Sequence, residues 1–134
     1  MSYIIDKYCR SRLHGGLIVE LITPTRVQEL IDSFAKQDVY LHLETTNGAY
    51  ASHFDQSFFS AGAYIRNARV NYKHGKITGD GPYRVGLELD IGWVYGEGLT
   101  HFELNEDGQL ILAGLNHEDK IAVTLEISEQ PFRK

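Results

Sequence analysis

A chain of 134 residues, 43% of them hydrophobic, suits one domain with a real core. Its net charge of −5, with no basic patch, argues against general nucleic-acid binding. No apolar run approaches the ~20 residues of a membrane span, no secretory signal is evident, and a single cysteine excludes an internal disulfide framework, so the cytoplasm is the expected compartment.

Residues 1–18 differ from the rest. They hold the only Met, the only Cys and three basic residues, Lys7, Arg10 and Arg12. They read as a mistranslated leader: Gly15-Gly16 is what a purine-rich ribosome-binding sequence encodes, and Val19 follows at the spacing of a GTG start. The expectation is a poorly packed leader over 1–18 and a single mainly-β domain over 19–134. The ordinary alternative is a genuine N-terminal element around Ser2–Cys9, or a strand over Leu17–Ile22. Without residues 1–18, which include Lys7, Arg10, Arg12, Asp6 and Cys9, the 13 basic and 18 acidic residues become 10 and 17 and no thiol remains.

Thr23-Pro24 predicts a helix start, with Thr as N-cap and Pro at the first helical position. Val27, Leu30, Ile31 and Phe34 form one apolar stripe, so a helix over 23–37 is expected to cover an open side or end of a sheet. Val39–Thr46 then alternates as a strand, and Asn47-Gly48 is a strong signal for a type I′ hairpin turn that returns the chain from Ala49 to Asp55. Ala61–Arg66 and Arg69–Tyr72 read as two strands joined by a turn at Asn67-Ala68. His74-Gly75 reads as a turn before Lys76–Thr78, and Gly79-Asp80-Gly81-Pro82 as a loop. Tyr83–Tyr95 alternates throughout and reads as one long strand, with Tyr83, Val85, Leu87, Leu89, Ile91, Trp93 and Tyr95 inward. The phase changes at Gly96-Glu97-Gly98, which predicts a bulge or bend at a corner. Two further strands, Gln109–Leu115 and Lys120–Ile127, and a frayed tail from Ser128 complete the chain. With no βαβ repeat, the expected fold is mainly β: an antiparallel distorted sandwich or partly open barrel of about eight strands with one N-terminal helix.

The stretch Val39–Asp55 carries the densest set of reactive side chains. In a hairpin closed at Asn47-Gly48, His42 would face His53 and Tyr40 would face Asp55. His42, Glu44, His53 and Asp55 would share one face, with Val39, Leu41, Leu43, Tyr50 and Phe54 on the core side. Two opposed imidazoles beside carboxylates could ligate a divalent metal. The simpler reading is that these polar residues face water, since no recurrent metal-binding spacing is present.

The run from Val39 to Phe54, the run Ile77-Thr-Gly-Asp-Gly-Pro-Tyr-Arg-Val-Gly-Leu, and Gly92-Trp-Val-Tyr followed by Glu97–Glu103 resemble the YojF-like family of Bacillus-type bacteria. The resemblance runs from about Glu20 to the C-terminus. It implies a compact, mainly β, cytosolic protein and brings no catalytic residues. It also implies an accessory role, because family genes are associated with a sugar de-N-acetylase of the bacillithiol pathway.

His-hydrophobic-acid occurs three times: His42-Leu43-Glu44, His53-Phe54-Asp55 and His101-Phe102-Glu103. Each puts His and acid on one strand face, and convergence of all six would make a metal site or a general base oriented by an acid. Arg66, Arg84, Tyr95 and Glu97 are the second set, candidates for clamping a small polar ligand. Trp93 is expected in the core. The preferred function is an accessory or small-ligand-binding domain with a polar site on the Val39–Asp55 stretch. The alternatives are a metal-dependent hydrolase or isomerase, and a subunit docked on a partner enzyme such as that de-N-acetylase. The expected partners are a small molecule or another protein, a second copy of the chain included, and neither nucleic acid nor membrane.

Overall fold

The computed structural model describes residues 19–47 and 61–133. The expectations for residues 1–18, the Gly48 turn position and residues 49–60 fall outside these. The described elements are β1 (Glu20–Leu21), α1 (Pro24–Phe34), β2 (Val39–Asn47), β3 (Ala61–Val70), β4 (His74–Thr78), β5 (Tyr83–Glu88), β6 (Trp93–Leu99), β7 (His101–Leu104), β8 (Leu110–Leu115) and β9 (Ile121–Ser128). They form a six-stranded antiparallel sheet in the order β1-β7-β8-β9-β2-β3 and a three-stranded antiparallel sheet in the order β4-β5-β6. The mainly β sandwich expected from the sequence is therefore what forms, without closure into a barrel. Among the described residues no helix is long and apolar enough to cross a membrane.

The core lies between the sheets. Rows such as Leu43–Leu125–Leu112–Phe102 run across β2, β9, β8 and β7 by direct register. They meet Val85 and Leu87 of β5 and the apolar stripe of α1, whose Val27, Leu30, Ile31 and Phe34 are all buried. The helix starts where Pro24 permits, although the Thr23 side chain makes no capping bond. It stops at Phe34, earlier than expected, because Ala35 is extended and Lys36 takes φ +63°. Helix α1 guards β4: the Gln28 amide donates to the Gly75 carbonyl at 2.8 Å and accepts from the Ile77 N–H at 3.1 Å. That pairing occupies backbone groups which a bare strand edge would offer to other chains.

Four expectations are corrected. First, Tyr83–Tyr95 is a hairpin, not one strand. Gly92 adopts φ +91° and its carbonyl accepts the Leu89 N–H at 3.0 Å, so β5 and β6 pair back to back. The alternation runs unbroken through the turn while the inward face changes; Ile91, Trp93 and Tyr95 are exposed. Second, Asn67-Ala68 is no turn. Leu41 pairs with Ala68 and His42 with Arg66, which makes Asn67, at φ +57°, the extra residue of a bulge inside one continuous β3. Third, His74-Gly75 belongs to β4, where Gly75 lies against Ile31 and Leu87. Fourth, the tail is docked: Asn67 Nδ2 donates to the Phe132 carbonyl at 3.0 Å, Asn67 Oδ1 accepts the Phe132 N–H at 2.6 Å, and Phe132 is buried.

The glycine corner behaves as expected. β6 bulges at Glu97-Gly98 opposite Arg84, and the chain passes from the small sheet to the large one between Leu99 and His101. β8 crosses this corner so closely that a Cβ on Gly114 would overlap the Gly98 carbonyl.

Asn67→Ala removes two hydrogen bonds and forces a left-handed backbone on alanine. A loss of about 3 kcal/mol is expected in urea unfolding, and Asn67→Gly, free of the backbone term, should lose about 1 kcal/mol less.

Candidate functional site

Antiparallel register sends alternate residues of the large sheet to its outer face, away from the core. One cross-strand row there reads Arg66–His42–Glu126–Ile111–Glu103, and the next reads Tyr64–Glu44–Thr124–Ala113–His101. An ordinary half-covered sheet would leave such a face in water. Here His42 and Glu126 are fully buried, and Glu44, Glu103, Thr124 and Ser128 are buried with them. The reading of His42 and Glu44 as solvent-facing polar residues is thus overturned.

His42 is held on both sides. Its Nε2 lies 3.1 Å from Glu44 Oε1, and its Nδ1 lies 3.3 Å from Arg66 Nη1. A guanidinium only donates and a carboxylate only accepts, so one tautomer satisfies both contacts: Nε2 carries the hydrogen and Nδ1 is bare. Burial holds the imidazole below its ordinary pKa of 6.5; the Glu44 hydrogen bond and charge oppose that shift, and the Arg66 charge adds to it. The ring also stands edge-on to Tyr64, with centroids 5.3 Å apart, and near Phe132 at 6.3 Å. Arg66 is itself fixed: its guanidinium lies 5.0 Å over the Phe132 ring and donates to the Arg133 carbonyl. The docked tail therefore completes the His42 site.

The other anticipated residues divide into three groups. His53 and Asp55 lie outside the described residues. The register positions on either side of His42 are taken by Arg66 on β3 and Glu126 on β9. His101 and Glu103 share the outer face with His42 and Glu44 but sit three strands away. At ~4.8 Å per strand that is roughly 14 Å, too far for a common metal ion. Consistently, no group of three or more His, Cys, Asp or Glu suited to a metal ion occurs among the described residues. His101 Nδ1 instead lies 2.7 Å from the Thr100 hydroxyl.

Arg84, Tyr95 and Glu97 come together on the outer face of the small sheet. Arg84 Nε bonds Glu97 Oε1 at 2.9 Å, and its guanidinium lies 4.9 Å over the Tyr95 ring. Arg66 is not part of this group; it belongs to His42.

Sequence reasoning missed Thr124, Glu126, Ser128 and Phe132. Thr124-Leu-Glu126-Ile-Ser128 has the same polar-apolar alternation as His42-Leu-Glu44, and that shared pattern was the available signal.

The chain matches the family described as "Protein of unknown function (DUF1806)" over residues 21–132. It belongs to that family. It is 47% identical over 106 residues to "Uncharacterized protein YojF" of Bacillus subtilis (strain 168), a match covering 79% of this chain and 91% of that protein. It also matches the crystal structure of Bacillus subtilis YojF with a TM-score of 0.73 and 42% identity, over 87% of this chain and 98% of that one.

Because the folded state favours neutral His42, its contribution to stability is fully present above pH 6.5 and is lost as pH falls from there through the lowered folded value. NMR titration of the imidazole should show Arg66→Gln raising the His42 pKa and Glu44→Gln lowering it further. Opposite or absent shifts would contradict the two contacts.

Proposed function

We propose that this chain is a small-ligand-binding accessory domain whose polar site is the His42–Glu44–Arg66 end of the large sheet's outer face. The observation that carries the reading is a buried imidazole clamped between a carboxylate and a guanidinium on the outer face of the large sheet, apart from the main core and beside the smaller apolar cluster of Val19, Ile111, Ala113 and Ile121. Burying charged groups costs several kcal/mol each before pairing, and apolar side chains of similar volume would stabilise the sheet at least as well. Retaining Glu44, His42 and Arg66 together is therefore better explained by recognition than by stability. Thr124 supports the same reading: its buried hydroxyl has no hydrogen-bond partner among the described residues, and it sits beside Glu44 in register. The acidic side chains on this face outnumber Arg66, so the fitting ligand is a small molecule rich in hydroxyl or amine donors.

The test is a thermal-shift screen of neutral polyols and small amines, followed by NMR mapping. A true ligand at a hundredfold excess over its Kd should add about 2.7 kcal/mol and raise Tm by several degrees. Its shifts should centre on His42 and Thr124, and Glu44→Gln should abolish them while remaining folded. Shifts confined to another part of the molecule would reject this site.

The second reading is the metal-dependent hydrolase or isomerase, favoured by the contact between His42 Nε2 and Glu44 Oε1. It requires the imidazole to release Glu44 or Arg66 and further donors to join. Metal analysis separates the two readings: near-stoichiometric zinc or manganese that vanishes in His42→Ala would move the enzyme reading ahead. A protein that stays metal-free after metal is supplied would remove it.

A further inference from the structure

The outer face of the small sheet carries a stack of flat groups. Arg84 lies over Tyr95, and Tyr95 stacks on Trp93 with ring planes 6° apart and centroids 5.6 Å apart. Tyr95 rests over Gly86, where no side chain interferes. One end of this stack is closed: Glu97 pairs with Arg84, so ring, guanidinium and carboxylate are all present. The other end carries the ring and the carboxylate of that set without the guanidinium. Trp93 supplies an aromatic face and is 49% exposed. Glu88, its direct cross-strand partner, supplies a carboxylate on the same side of the sheet. Among the described residues, the ion pairs this region forms are Arg84–Glu97 and Lys73–Asp90, and Glu88 stands outside both.

We propose that Trp93 and Glu88 form a docking point for an arginine side chain of a partner protein. The closed end is the argument: on this same face an arginine already joins an aromatic ring and a carboxylate. Tryptophan is the strongest of the aromatic faces for a cation, and the neighbouring carboxylate supplies the charge complement. The chain's net charge of −5 favours a basic partner over an acidic one. A protein side chain fits better than a free small cation because Ile91, 93% exposed at the tip of the same hairpin, offers an apolar contact beside Trp93. Trp, Tyr and Arg, the types that dominate binding hot spots, are stacked on one another here.

The chain has one tryptophan, so its fluorescence reports this point directly. The intact protein is titrated with an N-acetylated, C-amidated Gly-Arg-Leu tripeptide and with its uncharged citrulline counterpart. A saturable change with half-effect in the ~1–10 mM range is expected for the arginine peptide, weakened by salt. The citrulline peptide should bind at least about five-fold more weakly, and Glu88→Gln should bring the arginine peptide down to that level. Ile91→Ser, on an exposed turn, should weaken both peptides without altering the preference for arginine. Equal responses to the two peptides, an unaffected Glu88→Gln variant, or no saturable response to arginine would each overturn the proposal.

Discussion

The structure turns on the placement of β9 between β2 and β8. This strand sends Val123, Leu125 and Ile127 into the core and Thr124, Glu126 and Ser128 into a second buried layer. A strand buried on both faces normally reads as a continuous apolar run. Here the alternation survives, and the second face is polar. Because β9 pairs with β2, that polar layer is continuous with His42 and Glu44. Everything distinctive about the candidate site follows from this adjacency, which joins the end of the chain to its first long strand.

Burial and pairing then decide the chemistry of His42. In water its ring would hold or lose a proton near neutrality. In the sheet, the low-dielectric surroundings disfavour the charged ring, Arg66 adds to that effect and Glu44 opposes it. The two neighbours also order the ring nitrogens, so that one always donates and the other always accepts. The result is a fixed, neutral polar group whose orientation is set by three segments: β2, the bulge region of β3 and the tail around Phe132. Asn67 links two of them, since the residue that bulges β3 also holds the tail backbone.

Much of the fold could be read directly from residue order. The stripe Val27, Leu30, Ile31 and Phe34 marked the helix and its buried face, and Val39, Leu41 and Leu43 marked the core side of β2. The phase change at Gly96-Glu97-Gly98 marked the corner between the sheets. What failed had physical causes. A tight turn at Asp90-Ile91-Gly92 preserves period-two alternation while reversing the chain, so the pattern could not reveal that Trp93 and Tyr95 point outward. Asn67 serves a bulge and a turn equally well, because both need a positive φ. His42 and Glu44 looked exposed because alternation gives the two faces of a strand but not what lies over each. The partners Glu126 and Arg66 come from strands remote in sequence, and local spacing does not encode that pairing.

The central claim is that His42 is a neutral imidazole with its hydrogen on Nε2, donated to Glu44, and a bare Nδ1 facing Arg66. The most direct measurement is a long-range nitrogen–proton NMR spectrum of the ring at pH 7, with His42 assigned through His42→Gln. The account predicts a protonated Nε2 and an unprotonated Nδ1. A ring protonated on Nδ1 alone, or on both nitrogens, would contradict it.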